Sequence, residues 1–330
     1  MDIGKSPFAP GRRRILSGAV AIAGLYSLPQ LAVGKPATPL VPIIDTHVHL
    51  FDPNRPQGAP YKGPAGTLSN TLGSFPDRYS TLARPLGVVG AIAVEASPWI
   101  EDNLWLLETC GANDIMLGAI GNLRPDSREF PEFLDRFRKN PLFRGIRYGN
   151  LWHYDLVEKS KDPEFLEQLK RLAGADLVLD TANPRVDLLQ AILRVSDAVP
   201  ELRIVIDHLP NLEPTAEERK ELTEVLRELK PRPAVFAKLS SVIHKIDGQV
   251  SSSLADHRER LDELFETFGE DRVLFGSDWP NSDGTATLER IVGIMREYFA
   301  NKPAIASEKY FWKNSARAYK WIKRAPDQPE

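Results

Sequence analysis

One cysteine, Cys110, occurs in 330 residues. An intramolecular disulfide and a thiolate metal site are therefore excluded. Cys110 ends the Leu-rich stretch that begins at Leu104, which predicts a buried structural thiol, not a nucleophile. Charge of one sign is also lacking: 42 Lys and Arg stand against 45 Asp and Glu, a net of −3 without long single-sign blocks, which argues against a nucleic-acid partner. No G-x-G-x-x-G, P-loop or G-x-S-x-G run is present, so dinucleotide, nucleoside triphosphate and serine-nucleophile chemistry have no footing. What is there is an ordinary globular composition, 42% hydrophobic and 26% charged, with 27 prolines scattered as loop punctuation.

Three arginines, Arg12 to Arg14, precede an apolar run from Ile15 to Leu28 that is short for a membrane span, and Ala32-Val33-Gly34 offers small residues for cleavage. Residues 1–34 read as an export signal resembling the twin-arginine type, which implies a periplasmic or secreted protein that meets the membrane only during export. The fold then belongs to residues 35–330.

Beyond the signal, eight short aliphatic runs alternate with amphipathic stretches. The strand candidates are 43–49, 88–95, 116–121, 143–148, 176–180, 203–207, 235–239 and 273–278. Helical spacing covers 101–109, 130–138, 163–172, 184–198, 215–229, 256–268, 285–299 and 308–322, and Asp162-Pro163 and Asn183-Pro184 carry cap-then-proline starts. Strand then helix, eight times, predicts an α/β protein: a single (β/α)8 TIM barrel without an internal repeat or a second domain. The Pro- and Gly-rich stretch 52–74 after the first strand is too long for an ordinary connection and is expected to cover the barrel mouth.

Polar side chains stand at the ends of these strands: His47 and His49, Glu95, Arg147, Asp180, His208, Lys238 and Asp278. In a barrel, C-terminal strand ends converge on one site. His47 and His49 are separated by one residue, so both imidazoles can face the same point, as two nitrogens on one metal require. Arg147 and Lys238 are expected at the mouth as cations for a carboxylate or an oxyanion, although pairing with Glu95, Asp180 or Asp207 also accounts for them. Trp152-His153-Tyr154 and Trp279 are candidates to stack on a ring substrate or to pack loops. His244 and His257 are expected to be solvated.

Ile44-Asp45-Thr46-His47-Val48-His49, Val94-Glu95-Ala96, Gly145-Ile146-Arg147-Tyr148, Val205-Ile206-Asp207-His208, Ala237-Lys238-Leu239-Ser240 and Phe275-Gly276-Ser277-Asp278-Trp279-Pro280 follow one another in an order that resembles the amidohydrolase-related family. Within that family they are most similar to the branch holding 2-pyrone-4,6-dicarboxylate lactonase and L-fuconolactonase. Binuclear members of the wider superfamily carry a bridging Lys or Glu at strand four and a His at strand five, where this chain has Arg147 and Asp180, so a two-metal site is not expected.

The resemblance implies hydrolysis of a lactone of a sugar acid or a carboxylated ring, with Asp278 as general base and His208 meeting a carbonyl oxygen or completing a metal shell. It implies zinc or manganese held by His47, His49 and Asp278, with Glu95 adding an oxygen, or a reaction that uses no metal. Arg147, Lys238, His153 and Trp279 are the expected substrate contacts. A nonoxidative decarboxylase and an exported barrel that binds a sugar acid without turnover are the alternatives. A homo-oligomer is compatible with the chain.

Overall fold

The computed structural model describes residues 40–330 except 183, 211–213 and 247. The expected export signal, residues 1–34, lies outside the described residues. Among those described, eight parallel strands follow one another in chain order around a barrel: β1 Ile43–His49, β2 Val88–Val94, β3 Met116–Gly121, β4 Phe143–Arg147, β5 Val178–Thr181, β6 Ile204–Ile206, β7 Val235–Lys238 and β8 Val273–Leu274. The ring closes where β1 meets the chain after β8. Thr46 N–H donates to the Phe275 carbonyl (3.0 Å), Asp278 N–H to that of His47 (2.9 Å) and His49 N–H to that of Trp279 (2.8 Å).

Alternation along the strands sorts the core into two layers. Ile44, Ile92, Leu117, Val178, Val205, Phe236 and Leu274 fill the barrel interior together with Ala318, Tyr319 and Trp321 from the C-terminal segment. Ile43, Ala91, Met116, Leu179, Ile204 and Val235 face the surrounding helices. Gly145 marks how tightly β4 and β5 approach, since a Cβ there would stand 2.2 Å from the Val178 carbonyl oxygen. Because that neighbour is backbone, Gly145→Ala is expected to cost about 1–3 kcal/mol, the range for overpacking, measured as a lowered urea midpoint. An unchanged midpoint would mean that the strands separate freely there.

The helices follow the predicted rhythm with local differences. Asp162 accepts from Glu164 N–H and caps the helix Pro163–Gly174 as expected, and Thr215 with Glu218 forms a capping box at Ala216–Leu229. The helix anticipated from Pro184 instead begins at Val186, behind Arg185, which gives no side-chain cap. The expected 308–322 helix is divided into Ala304–Glu308, a wide π-turn at Lys309–Lys313 and Asn314–Tyr319. Cys110 is buried, as anticipated, and burial raises its thiol pKa to about 12, far from a thiolate at neutral pH.

Two expectations about accessible side chains are corrected. Trp279 is fully buried, its ring 5.2 Å from that of Tyr79 and covered by the Arg78 guanidinium, so it packs the closure of the barrel and cannot stack on a substrate. His257 is buried, 2% exposed, because its helix, Leu254–Phe268, packs it beside His244 at 4.8 Å between ring centroids. Burial lowers its pKa, assisted by the nearby His244. A lowered imidazole pKa contributes stability above the unfolded value near 6.5 that is lost as pH falls. Acidification from pH 7 to 5 is therefore expected to weaken the wild type more than His257→Gln in parallel urea titrations; equal losses would contradict the burial effect.

Candidate active site

The site begins with a distortion of β1. Between Asp45 and Val48 three steps of β1 oppose two of β2, Ala91 to Ala93, an irregularity of the kind that re-aims side chains. The buried Asp45 carboxylate holds it, accepting from His47 N–H (3.1 Å), Ser277 N–H (2.9 Å) and the Tyr79 hydroxyl (2.7 Å). The same carboxylate thereby ties β1 to the segment after β8 that carries Asp278.

With β1 so held, His47 Nε2 and His49 Nε2 lie 3.1 Å apart, and Asp278 Oδ1 is 3.7 Å from the first and 3.4 Å from the second. These three side chains are the one group of at least three among the described residues whose donor atoms can converge on an ion. The fit is specific: His49 donates its Nδ1 proton to the Val94 carbonyl (3.0 Å), leaving the Nε2 lone pair aimed at the other two donors. This is how metal-binding imidazoles are ordinarily oriented from behind. Two imidazoles and a carboxylate with an open side match a mononuclear catalytic site.

Asp278 and His208 are brought together as expected. Ser241, which the sequence reading did not single out, bridges them: its Oγ is 3.0 Å from His208 Nδ1 and donates to Asp278 Oδ2 at 3.3 Å. Ser240 Oγ also meets His208 Nδ1, at 2.9 Å. His208, Ser241 and Asp278 have φ of 67°, 53° and 60°, the left-handed region that non-glycine residues rarely adopt, and such conformations persist where surrounding contacts hold them. No motif announces Ser241; only the folding of strand-end loops against each other gives it a role.

Electrostatics separate the two partners. Burial opposes the charged form of Asp278, yet His208, His49 and His47 outweigh it and hold the carboxyl well below the usual range, so it stays ionised. Burial lowers His208 despite the Asp278 and Asp207 carboxylates, so its imidazole is neutral at pH 7. Burial and the Lys238 ammonium together keep His47 neutral as well.

Glu95 and Arg147 form a pair of their own. Arg147 Nε donates to Glu95 Oε1 (2.7 Å), Trp152 Nε1 to Oε2 (3.0 Å) and Ser97 N–H to Oε2 (2.9 Å). Both Glu95 oxygens are thus engaged, and Glu95 stands outside the group of three that can hold an ion. Arg147 is buried beside it but lines the central cavity, of about 540 Å³, with His49, Tyr61, Trp152, His208 and Asn281. Tyr61 comes from the long loop after β1, its ring 6.1 Å from that of His49, so that loop does cover the mouth.

Lys238 and His153 are placed differently from expectation. Lys238 is fully buried beneath the His pair and ion-paired to Asp180 (2.7 Å) and Asp207 (2.8 Å), because a β7 residue pointing into the barrel meets the ends of β5 and β6. It is absent from the mouth. His153 is exposed and lines an open surface cleft with Asn150 and Arg185 and is absent from the central cavity, while its neighbour Trp152 lines both.

The family model described as amidohydrolase matches residues 44–321. An L-fucono-1,5-lactonase of Burkholderia ambifaria is 29% identical over 262 residues, covering 78% of this chain and 84% of the relative. One of Burkholderia multivorans is 25% identical over 284 residues, covering 83% and 94%. Among solved structures, an amidohydrolase of Burkholderia multivorans with bound zinc superposes with a TM-score of 0.75 at 23% identity, covering 85% of this chain and all of the other.

Proposed function

The chain belongs to the amidohydrolase family and is a hydrolase; from that premise we propose that it opens a lactone, with the cyclic ester of a sugar acid as the favoured substrate class. The observation that carries this reading is the placement of Asp278 beside two cavity residues, 3.4 Å from His49 and joined through Ser241 to His208, which suits water attack on a carbonyl held in that cavity. The lactonases at 29% and 25% identity support the substrate class.

In this mechanism the lactone lies in the cavity between Tyr61, Trp152 and Arg147. Asp278 accepts a proton from the attacking water, which general-base action makes nucleophilic. In the His208 tautomer this step uses, Ser240 donates to Nδ1 and the Nε2 proton meets the carbonyl oxygen and stabilises the developing oxyanion. Arg147, held by Glu95, presents the remaining N–H donors to substrate hydroxyls or a carboxylate. Collapse of the tetrahedral intermediate breaks the ring C–O bond, and the proton held by Asp278 passes to the leaving alkoxide to give the hydroxy acid. His47, His49 and Asp278 would hold one divalent metal, zinc by their donor chemistry; when bound it would lower the pKa of water and polarise the carbonyl.

Residues 1–34 belong to the same proposal as an export signal, placing catalysis in the periplasm or outside the cell. N-terminal sequencing of the protein from fractionated cells tests this: a mature chain starting near residue 35 supports it, and a full-length chain in the cytoplasm contradicts it.

Substrate class is tested by incubating the purified chain with 1,5-lactones of six-carbon sugar acids and with 2-pyrone-4,6-dicarboxylate, following products by NMR. Accumulation of the open hydroxy acid from a sugar lactone is the expected result. Release of carbon dioxide from an aromatic carboxylate would favour a decarboxylase, and tight binding without turnover a non-catalytic barrel.

A further inference from the structure

A buried ammonium under a metal-ligand histidine is out of keeping with the rest of the site. Lys238 Nζ donates to Asp180 Oδ2 at 2.7 Å, lies 3.1 Å from His47 Nδ1, and forms an ion pair with Asp207 Oδ1 at 2.8 Å. It is fully buried, so its protons must be met by these side chains and not by bulk water. An ammonium donates and never accepts, so the contact with His47 is satisfied only when His47 Nδ1 presents a lone pair. The His47 proton then sits on Nε2, the atom that faces the other two metal donors.

The rest of the array agrees with that assignment. His49 donates from Nδ1 to the Val94 carbonyl, which leaves its Nε2 as an acceptor, and His47 Nε2 lies 3.1 Å away. Donors and acceptors alternate from Lys238 through His47 and His49 to Val94 without a gap. An ion between the two imidazoles would need the Nε2 lone pair of His47, the atom that carries the proton in this array. Freeing it means moving the proton to Nδ1, where it faces an ammonium, with Asp207 Oδ1 at 3.6 Å as the carboxylate partner.

We propose that Lys238 is a positioning residue that locks His47 in the Nε2-protonated tautomer and so sets the metal affinity of the His47–His49–Asp278 group below what its donors alone would give. The inference rests on reading these three side chains as the site's ligand set; it does not depend on which lactone is the substrate. Outer partners of ligating histidines ordinarily strengthen binding about 10- to 100-fold. Lys238 acts in the opposite direction, and its removal lets Asp207 become the usual carboxylate partner of His47.

Two measurements test it. The first is 15N NMR of the histidine-labelled wild type after metal stripping, with His47 assigned by substitution; a protonated Nε2 is expected. The second compares zinc dissociation constants, by competition with a chromophoric chelator, in the wild type and in Lys238→Met/Asp180→Asn, which removes the cation together with one carboxylate. Zinc is expected to bind the double variant about 10- to 100-fold more tightly. A proton on Nδ1 of His47 in the wild type, or equal zinc affinities in the two proteins, would overturn the proposal. If the double variant does not fold, the wild-type tautomer decides. A wild type that hydrolyses no lactone would remove the proposed substrate and leave both readouts standing.

Discussion

Asp278→Asn is expected to lower kcat/KM for lactone opening by about 10²- to 10⁴-fold, the contribution of a positioned general base, while leaving the fold intact. The amide keeps the size of the side chain and its one oxygen can still accept from one of the two present donors, Ser241 at Oδ2 (3.3 Å) or the Asn281 amide at Oδ1 (2.9 Å). What it loses is the negative charge that the three histidines face and the ability to take a proton from water. Substrate affinity should change far less than turnover, because Arg147, Tyr61 and Trp152, which line the cavity, are untouched. Steady-state kinetics separate the two effects: a fall in kcat with KM nearly constant supports the assigned role, whereas a variant within threefold of wild type would remove Asp278 from the chemistry.

Lys238→Met alone is expected to destabilise the chain by about 3–5 kcal/mol, the cost of breaking a buried ion pair from one side. Asp180 and Asp207 are both fully buried, and Lys238 is the cation between them. The pH dependence follows from Asp180. Burial raises its carboxyl pKa to about 7 even with Lys238 and the Tyr319 hydroxyl opposing, and loss of the lysine pushes it higher. A carboxyl raised in the folded state contributes stability fully below the unfolded value near 3.8 and loses it as pH rises through the folded value. The single variant should therefore be weakest above pH 7 and recover toward acid, relative to wild type. Lys238→Met/Asp180→Asn should recover part of the loss, since it strands one carboxylate fewer. Urea unfolding of the three proteins at pH 5 and pH 8 checks the order; a pH-independent difference would mean that the buried charges are not the cause.

The contrast between His47 and Lys238 explains how much of the site was legible in the sequence. His47, His49 and Asp278 lie in motifs whose local geometry nearly suffices: alternation along one strand aims two imidazoles together, and the barrel order brings the eighth strand end beside the first. The eight strands and most helices were readable for the same reason, since aliphatic runs and three- and four-residue spacing are local signals. Lys238 has an identical strand-end signature, but its depth depends on carboxylates from β5 and β6 and on Tyr319 from the C-terminal segment, which joins the barrel interior and donates to Asp180. Contacts of such sequence separation leave no local pattern. Trp279 and His257 differ from expectation for a related reason, because burial is decided by what packs over a residue: Tyr79 and Arg78 in one case, His244 in the other. Ser241 and Tyr61 had no distinguishing signal beyond their place in loops near strand ends.

Asp180 at the end of the fifth strand is engaged by Lys238 and Tyr319 below the His pair, so that position supports a buried charge network.

The most direct test of the account is a pH-stat assay of a sugar-acid 1,5-lactone with wild type and Asp278→Asn, corrected for spontaneous opening and run before and after chelation. The account predicts one acid equivalent per lactone consumed by the wild type, at a rate the variant lacks. Acid release by the wild type no faster than in buffer alone, or equal rates for the two proteins, would contradict it.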